Sequence, residues 1–215
     1  MLSLDDVADV GRIVAVDAET TGYPMKRRDE IERMPKGLKL PGVVIQLGCV
    51  ELLRDGEGWV TGRTWETLVQ PDGPVHRQSV AIHGIHPNAL RGAPRFAEIS
   101  DAFEAFVGGD VLLAHAAKNE IEYLNYEMRR AGRAGWDADP YHPGMFLDTQ
   151  IMARKIFPGA SGALDVICDR LWIDRSDRFA HHGALLDAEL TAEAFIKMAT
   201  GFADGLGNAP RAYAC

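Results

Sequence analysis

Residues Ile13-Val14-Ala15-Val16-Asp17-Ala18-Glu19-Thr20-Thr21-Gly22 set an apolar run directly against two acids and a Thr-Thr-Gly end. The run reads as a buried strand over 12 to 18. Alternate residues of a strand share a face, so Asp17 and Glu19 point the same way, about 7 Å apart, a spacing at which two carboxylates can share metal ions.

Working outward, the polar stretch from Tyr23 to Gly42 reads as a surface loop. Its Lys26, Arg27, Arg28, Lys36 and Lys39 can touch a phosphate backbone, but its mixed charge fits a solvated segment better. Val43 to Leu53 predicts a second strand and, after the turn-like Asp55-Gly56-Glu57-Gly58, Thr64 to Val69 a third, giving an antiparallel hairpin or meander ended by Pro71 and Pro74. A helix is expected from Phe96 to Val107, closed by Gly108-Gly109, then a short buried strand Val111 to Ala114 and a helix to about Arg130. Met145 to Asp148 resembles a last strand, followed by helices near 149 to 156, 162 to 172 and 184 to 199. Strands grouped first and then alternating with helices predict a three-layer α/β domain around a mixed sheet. One domain is expected over 1 to 200, with a mobile tail over 201 to 215, rich in Gly and Ala.

A chain of 215 residues with 47% hydrophobic and 25% charged residues is ordinary for a globular protein. No run approaches a membrane span, and the N-terminus lacks the basic start and apolar stretch of a secretory signal, so a cytoplasmic address and no membrane partner are expected. Cys49, Cys168 and Cys215 are odd in number and show no CxxC spacing, which argues against a disulfide framework or a thiolate zinc site. Cys49 and Cys168 read as core. The net charge of −8 argues against coating nucleic acid through general electrostatics, but not against an enzyme that grips a phosphodiester through metals held on carboxylates.

The second signature is His181-His182-Gly183-Ala184-Leu185-Leu186-Asp187-Ala188. At the start of the last helix, Asp187 shares a face with Leu190 and Ala194, so its carboxylate is expected to be partly buried and to need a cation or donors opposite. A metal meets that need. His182, with an ordinary pKa near neutrality, can accept a proton from water.

Asp17-Ala18-Glu19-Thr20-Thr21-Gly22, then His83-Gly84-Ile85, then His115-Ala116-Ala117-Lys118-Asn119-Glu120, then His182 through Asp187 occur in the order found in the DnaQ-like (DEDDh) 3′-5′ exonucleases. The chain resembles that family over roughly residues 12 to 198, and within it the proofreading epsilon subunits of bacterial DNA polymerase III, through Ala163 to Cys168 and His182 to Ala188. The resemblance implies a ribonuclease H-like three-layer α/β/α fold with a central mixed five-stranded sheet. It implies two divalent ions, Mg²⁺ or Mn²⁺, bound by Asp17, Glu19, Glu120 and Asp187, with His182 as general base and release of nucleoside 5′-monophosphates. It further implies substrate contacts from Thr20, Thr21 and His83, and single-stranded or frayed nucleic-acid 3′ ends, DNA ahead of RNA, as the partner. A replication polymerase is a further possible partner, but few residues follow the last helix where epsilon subunits usually carry a polymerase-binding extension, so a freestanding enzyme is expected. The sequence carries no indication of oligomeric state.

The middle motif departs from the family's usual His-Asn-Ala-x-Phe-Asp. Glu120 keeps the charge but extends it by one methylene, a displacement of about 1 Å in a site where such distances matter. Ala116 removes an amide that can bond substrate, and Asn119 replaces an aromatic. These departures motivate two alternatives: a catalytically weakened member that binds nucleic-acid ends or a replication partner, and an exonuclease specialised for short RNA. His115 reads as structural, His181 as exposed, Asp148 as a helix N-cap, and Trp59, Trp65, Trp136 and Trp172 as packing residues.

Overall fold

The computed structural model describes residues 5–22, 42–135, 146–179 and 182–201. Most of the expected polar loop, with Trp136, His181 and residues 202–215 of the tail, lies outside the described residues. Five strands, β1 (Arg12–Thr20), β2 (Val44–Asp55), β3 (Gly58–Leu68), β4 (Val111–Ala114) and β5 (Phe146–Asp148), form one sheet in the order β3-β2-β1-β4-β5. β1–β2 and β2–β3 are antiparallel, whereas β1–β4 and β4–β5 are parallel. The sheet is therefore mixed, and β1, β4 and β5 end on the same side.

The six helices among the described residues are α1 (Arg77–His83), α2 (Phe96–Val107), α3 (Lys118–Arg130), α4 (Thr149–Ile156), α5 (Leu164–Leu171) and α6 (Ala184–Gly201). Strand alternation sorts the core into two layers. Ile13 and Ala15 of β1 pack with Leu164, Ile167, Phe195 and Met198 under α5 and α6, while Val14 and Val16 pack with Phe103, Leu124 and Met128 under α2 and α3. Helices cover both faces, as the three-layer expectation requires.

The differences from expectation are local. β3 starts at Gly58 rather than Thr64, because this edge strand is mostly exposed and its polar outer half shows no apolar alternation. Helix α1 was not expected. It is short and largely exposed, with the His76 side chain accepting the Gln78 N–H at 3.3 Å at one end and Gly84 left-handed at φ +70° at the other. Trp59 meets Phe195 edge-on and Trp65 stacks on Phe106, as packing residues should. Trp172 does not fit that expectation: it is left-handed at the end of α5 and 68% exposed.

Candidate active site

The two halves of β1 have different neighbours. Pairing with β4 stops at Ala15↔Leu113, whereas pairing with β2 continues through Asp17↔Gly48 and Glu19↔Gln46. Asp17 and Glu19 thus stand past the last β4 partner, at the carboxyl ends of the parallel strands, where open α/β sheets form their ligand crevice. They continue the face of Ile13 and Ala15, which α6 covers. α6 approaches closely because Gly48, directly opposite Asp17, has no side chain. A Cβ at Gly48 would overlap the Leu185 amide nitrogen and the Ala184 carbonyl. Gln46 Oε1 accepts the Ala184 N–H at 3.2 Å and fixes the helix start. Asp187, one turn in, is therefore buried at the crevice.

Glu19, His182 and Asp187 each present a ligand atom, all within 4.8 Å of one another. Glu120, buried in the first turn of α3, faces the charges of Asp148, Glu19 and Asp187. Burial first, then the charges of Glu120, Asp187 and Glu19, push the Asp17 carboxyl well above its ordinary range. Burial and Asp187 push Glu19 up to about 7. Burial, and then Asp148, Glu19 and Asp187, push Glu120 up to about 8. Acids that raise one another in this way are what a bound cation relieves, and carboxylate oxygens with one imidazole suit a hard divalent ion. The donor chemistry of Glu19, His182 and Asp187 fits a divalent ion, while Asp17 and Glu120 join no such group of ligand atoms among the described residues and are linked to it through their charges.

Among the described residues, the guanidinium in contact with this cluster is that of Arg178, in the 3₁₀ turn Ser176–Phe179. Its Nε donates to Asp187 Oδ1 at 2.5 Å and one terminal nitrogen to Asp187 Oδ2 at 2.8 Å, while the other pairs with Asp165. The same nitrogen that reaches Asp187 Oδ2 donates to His182 Nδ1 at 2.9 Å. Burial, and then the Arg178 charge, hold the His182 imidazole below its usual pKa. The His182 N–H donates to the Ile82 carbonyl at 3.3 Å, tying this loop to α1.

The remaining expected residues surround this cluster. The Thr20 hydroxyl donates to the Gly22 carbonyl at 2.7 Å, and the Thr21 hydroxyl accepts the Val43 N–H at 3.0 Å, so both shape the exit of β1. The Tyr123 hydroxyl, from α3, also donates to the Gly22 carbonyl, at 2.9 Å. His83 is 4% exposed. Its Nδ1 accepts the Ile85 N–H at 2.9 Å, and its Nε2 has no hydrogen-bond partner among the described residues. His115 bridges Thr149 and the Gly162 carbonyl, both at 2.9 Å, a structural role as expected. Asp148 caps α4 through the Gln150 N–H at 2.8 Å, and also accepts the Ala116 and Ala117 N–H groups at 3.1 and 3.0 Å. Sequence reasoning missed Gly48, Tyr123 and Arg178. For Arg178 a weak signal existed, an arginine nine residues before Asp187 within a charged turn, but it looks like an ordinary solvated loop residue.

A mixed five-stranded sheet covered by helices, with acids gathered where its parallel strands end, is the ribonuclease H-like class of nuclease architecture. The profile of the Exonuclease family (RNase_T) matches residues 14–195, and the chain belongs to that family. It is 33% identical over 192 residues to the DNA polymerase III subunit epsilon of Pasteurella multocida, spanning 88% of this chain and 69% of that protein. It is 32% identical to the Escherichia coli subunit epsilon over 192 residues, 89% of this chain and 73% of that one. Among solved structures, the nuclease domain of 3′hExo, a DEDDh family member bound to rAMP, superposes with a TM-score of 0.67 at 16% identity, covering 91% of this chain and 93% of that one. The chain is accordingly a 3′-5′ exonuclease, in a family whose chemistry depends on divalent metal. Among the described residues no helix is long and apolar enough to cross a membrane.

Proposed function

We propose that this chain removes nucleotides from the 3′ ends of single-stranded or frayed DNA in the cytoplasm, with Asp17, Glu19, Glu120 and Asp187 holding two Mg²⁺ or Mn²⁺ ions and His182 acting as general base. The observation that carries this reading is the convergence of Glu19, His182 and Asp187 within 4.8 Å at the end of β1. The ions, when bound, supply Lewis-acid activation of water and offset the charge that develops on the phosphate. The protein's own part is positioning and proton transfer. Asp17 and Glu19 are fixed by strand pairing on a rigid element, and Asp187 by the close seat of α6. Burial keeps the His182 imidazole neutral at pH 7, the state that can take a proton from the attacking water. His83, buried and with no hydrogen-bond partner for its Nε2 among the described residues, is the candidate contact for the terminal nucleotide, with Thr20 and Thr21 forming the strand exit beside it. Breaking the terminal P–O3′ bond leaves a shortened 3′-hydroxyl end and a nucleoside 5′-monophosphate.

DNA is favoured because the curated relatives are DNA polymerase III epsilon subunits, a likeness that also makes a replicative polymerase the candidate partner. A weakened, end-binding member is the second reading, resting on Glu120 in place of the family's usual aspartate. Against it, Glu120 is buried and feels the charges of Glu19 and Asp187, so its carboxyl stays in electrostatic reach of them, although it is not part of the Glu19, His182 and Asp187 group. A 5′-labelled single-stranded DNA oligonucleotide and its RNA counterpart, incubated with Mg²⁺, Mn²⁺ or EDTA, test the proposal. The expected result is a metal-dependent ladder, absent with Asp17→Ala and stronger on DNA. A ladder only with Glu120→Asp would establish the weakened reading, and a dominant RNA ladder would reassign the substrate.

A further inference from the structure

Arg178 has a role that the carboxylate-histidine arrangement alone does not assign. Its side chain is 10% exposed, and it engages two of the three groups that converge at the end of β1. Both Asp187 oxygens are taken, through Nε at 2.5 Å and a terminal nitrogen at 2.8 Å. The lone pair of His182 Nδ1 is taken as well, at 2.9 Å, because arginine can only donate. A neutral imidazole that accepts at Nδ1 carries its proton on Nε2, so neither ring nitrogen is then free to receive one. In this arrangement Asp187 has no oxygen free of the guanidinium, and His182 cannot act as a base.

We propose that Arg178 is a built-in stand-in for the divalent cation, holding Asp187 and His182 in the metal-free protein and giving them up, while kept nearby by Asp165, when the site loads. This rests on the reading of Asp187 and His182 as part of the metal and base site. The physical logic is charge balance. Asp187 is buried beside three further acids, and a buried carboxylate left without a positive charge is strongly disfavoured. The guanidinium supplies that charge until a divalent ion, with twice the charge and a more compact shape, competes for the same oxygens. Asp165 pairs with the third guanidinium nitrogen and is 44% exposed at its side chain, outside the cluster of ligand atoms, so it can keep the arginine close once Asp187 is released. Loading then does two things together: it frees Asp187 and it unblocks Nδ1 of His182. Metal occupancy and readiness of the base are thereby coupled, and the coupling works against metal affinity.

The test uses the whole 215-residue chain and needs no turnover. Mn²⁺ binding by calorimetry and metal-free melting in EDTA are compared for wild type, Arg178→Gln and Arg175→Gln. Arg175 is the control for charge alone, because it pairs with Asp169 and approaches Asp165 without touching Asp187. The expected result is that Arg178→Gln lowers the metal-free melting temperature and tightens Mn²⁺ binding on the order of tenfold, within the usual range of site coupling. Arg175→Gln should change Mn²⁺ affinity by less than about twofold, as expected for a partly screened charge. A purely structural arginine would do the opposite, since its loss would loosen the site and weaken binding, and that outcome overturns the proposal. Equal tightening by both variants also overturns it, by reducing the effect to general electrostatics. Nitrogen-15 NMR with diamagnetic Mg²⁺ gives an independent check: the protected Arg178 Nε–H signal should shift and lose protection as the site saturates, and a signal unchanged at saturation refutes the exchange. If neither wild type nor variant binds Mn²⁺, the metal-site reading itself fails, which is distinguishable from failure of the arginine's role.

Discussion

Replacing Gly48 by alanine should damage activity more than it damages the fold, and the reason lies in how α6 meets the sheet. Gly48 sits on β2 directly opposite Asp17, on the face that α6 covers, and an added Cβ would meet the Leu185 nitrogen and the Ala184 carbonyl, which are backbone atoms with no rotamer to yield. Ordinary contact between such atoms is about 3.5 Å, so the first turn of α6 must rise by roughly 1 Å to accept the methyl. Asp187 is three residues into that turn and must move with it. Overpacking of this kind costs about 1–3 kcal/mol in stability, while a 1 Å misplacement of a reacting group can cost about 100-fold in rate. Gly58→Ala is the matched control. It places a methyl at ordinary distances, 3.5 Å from the Asp55 carbonyl and 3.8 Å from Thr200 Cγ2, and should leave both quantities near wild type. Urea unfolding with the metal present and initial rates on a labelled oligonucleotide measure the two effects separately. Wild-type rates and an unchanged unfolding midpoint for Gly48→Ala would refute the claim that the close seat of α6 sets the position of Asp187.

The turn at Ala116 and the buried acids carry two further expected outcomes. Ala116 is left-handed, at φ +57°, a conformation that costs a non-glycine residue about 1–2 kcal/mol and that asparagine tolerates better, so Ala116→Asn should raise stability by roughly 0.5–1 kcal/mol in urea unfolding; a decrease would show that the turn has no room for the amide. In EDTA, stability should fall as pH rises from 6.5 to 8. Glu19 and Glu120 keep their protons up to about 7 and about 8 in the fold but lose them near 4.5 when unfolded, so the native state binds more protons across that window and loses stability as they leave. Over its full range the Glu19 displacement corresponds to roughly 3 kcal/mol, of which about 1 kcal/mol falls between pH 6.5 and 8. His83 and His182, depressed by burial from an ordinary value of 6.5, give the opposite slope below that pH, which is why the window starts there. Thermal melts in EDTA should show the decline and saturating Mg²⁺ should flatten it; a metal-free melting temperature that climbs from pH 6.5 to 8 would contradict the assignment of buried, protonated acids.

What the sequence made legible was the part governed by local period. Four aliphatic residues before Asp17 announced β1, and its two-residue alternation put Asp17 and Glu19 on the α6 face because Ile13 and Ala15 are there too. α2 appears with the predicted bounds, Phe96–Val107, because its apolar face and its closing glycines are both strong local signals. The edge strand β3 and helix α1 were illegible in part because exposure removes the apolar pattern from which such elements are read. Gly48 was invisible for a different reason: a glycine inside a strand does not say which distant helix it admits. Arg178 was invisible because its meaning depends on Asp165, Asp187 and His182 arriving at one place, which no spacing along the chain records.

Asp148 shows how one residue can be read correctly and still incompletely. As an N-cap it satisfies the start of α4, through Gln150 at 2.8 Å and Ile151 at 3.4 Å. The same carboxylate accepts the N–H groups of Ala116 and Ala117, the turn that launches α3 and delivers Glu120. Two helix starts thus converge on one buried acid, each stabilising its negative charge through unsatisfied N–H groups and an aligned dipole. That anchor bears on the departure at the middle motif. Backbone bonds to Asp148 hold the left-handed turn at Ala116, so the turn that positions Glu120 survives the loss of the family's usual asparagine. The arrangement has an electrostatic consequence, since the fixed charge of Asp148 helps to raise the carboxyl of Glu120. On the proposed reading of Glu120 as a metal residue, the same negative field that favours its protonated form also favours a divalent cation beside it.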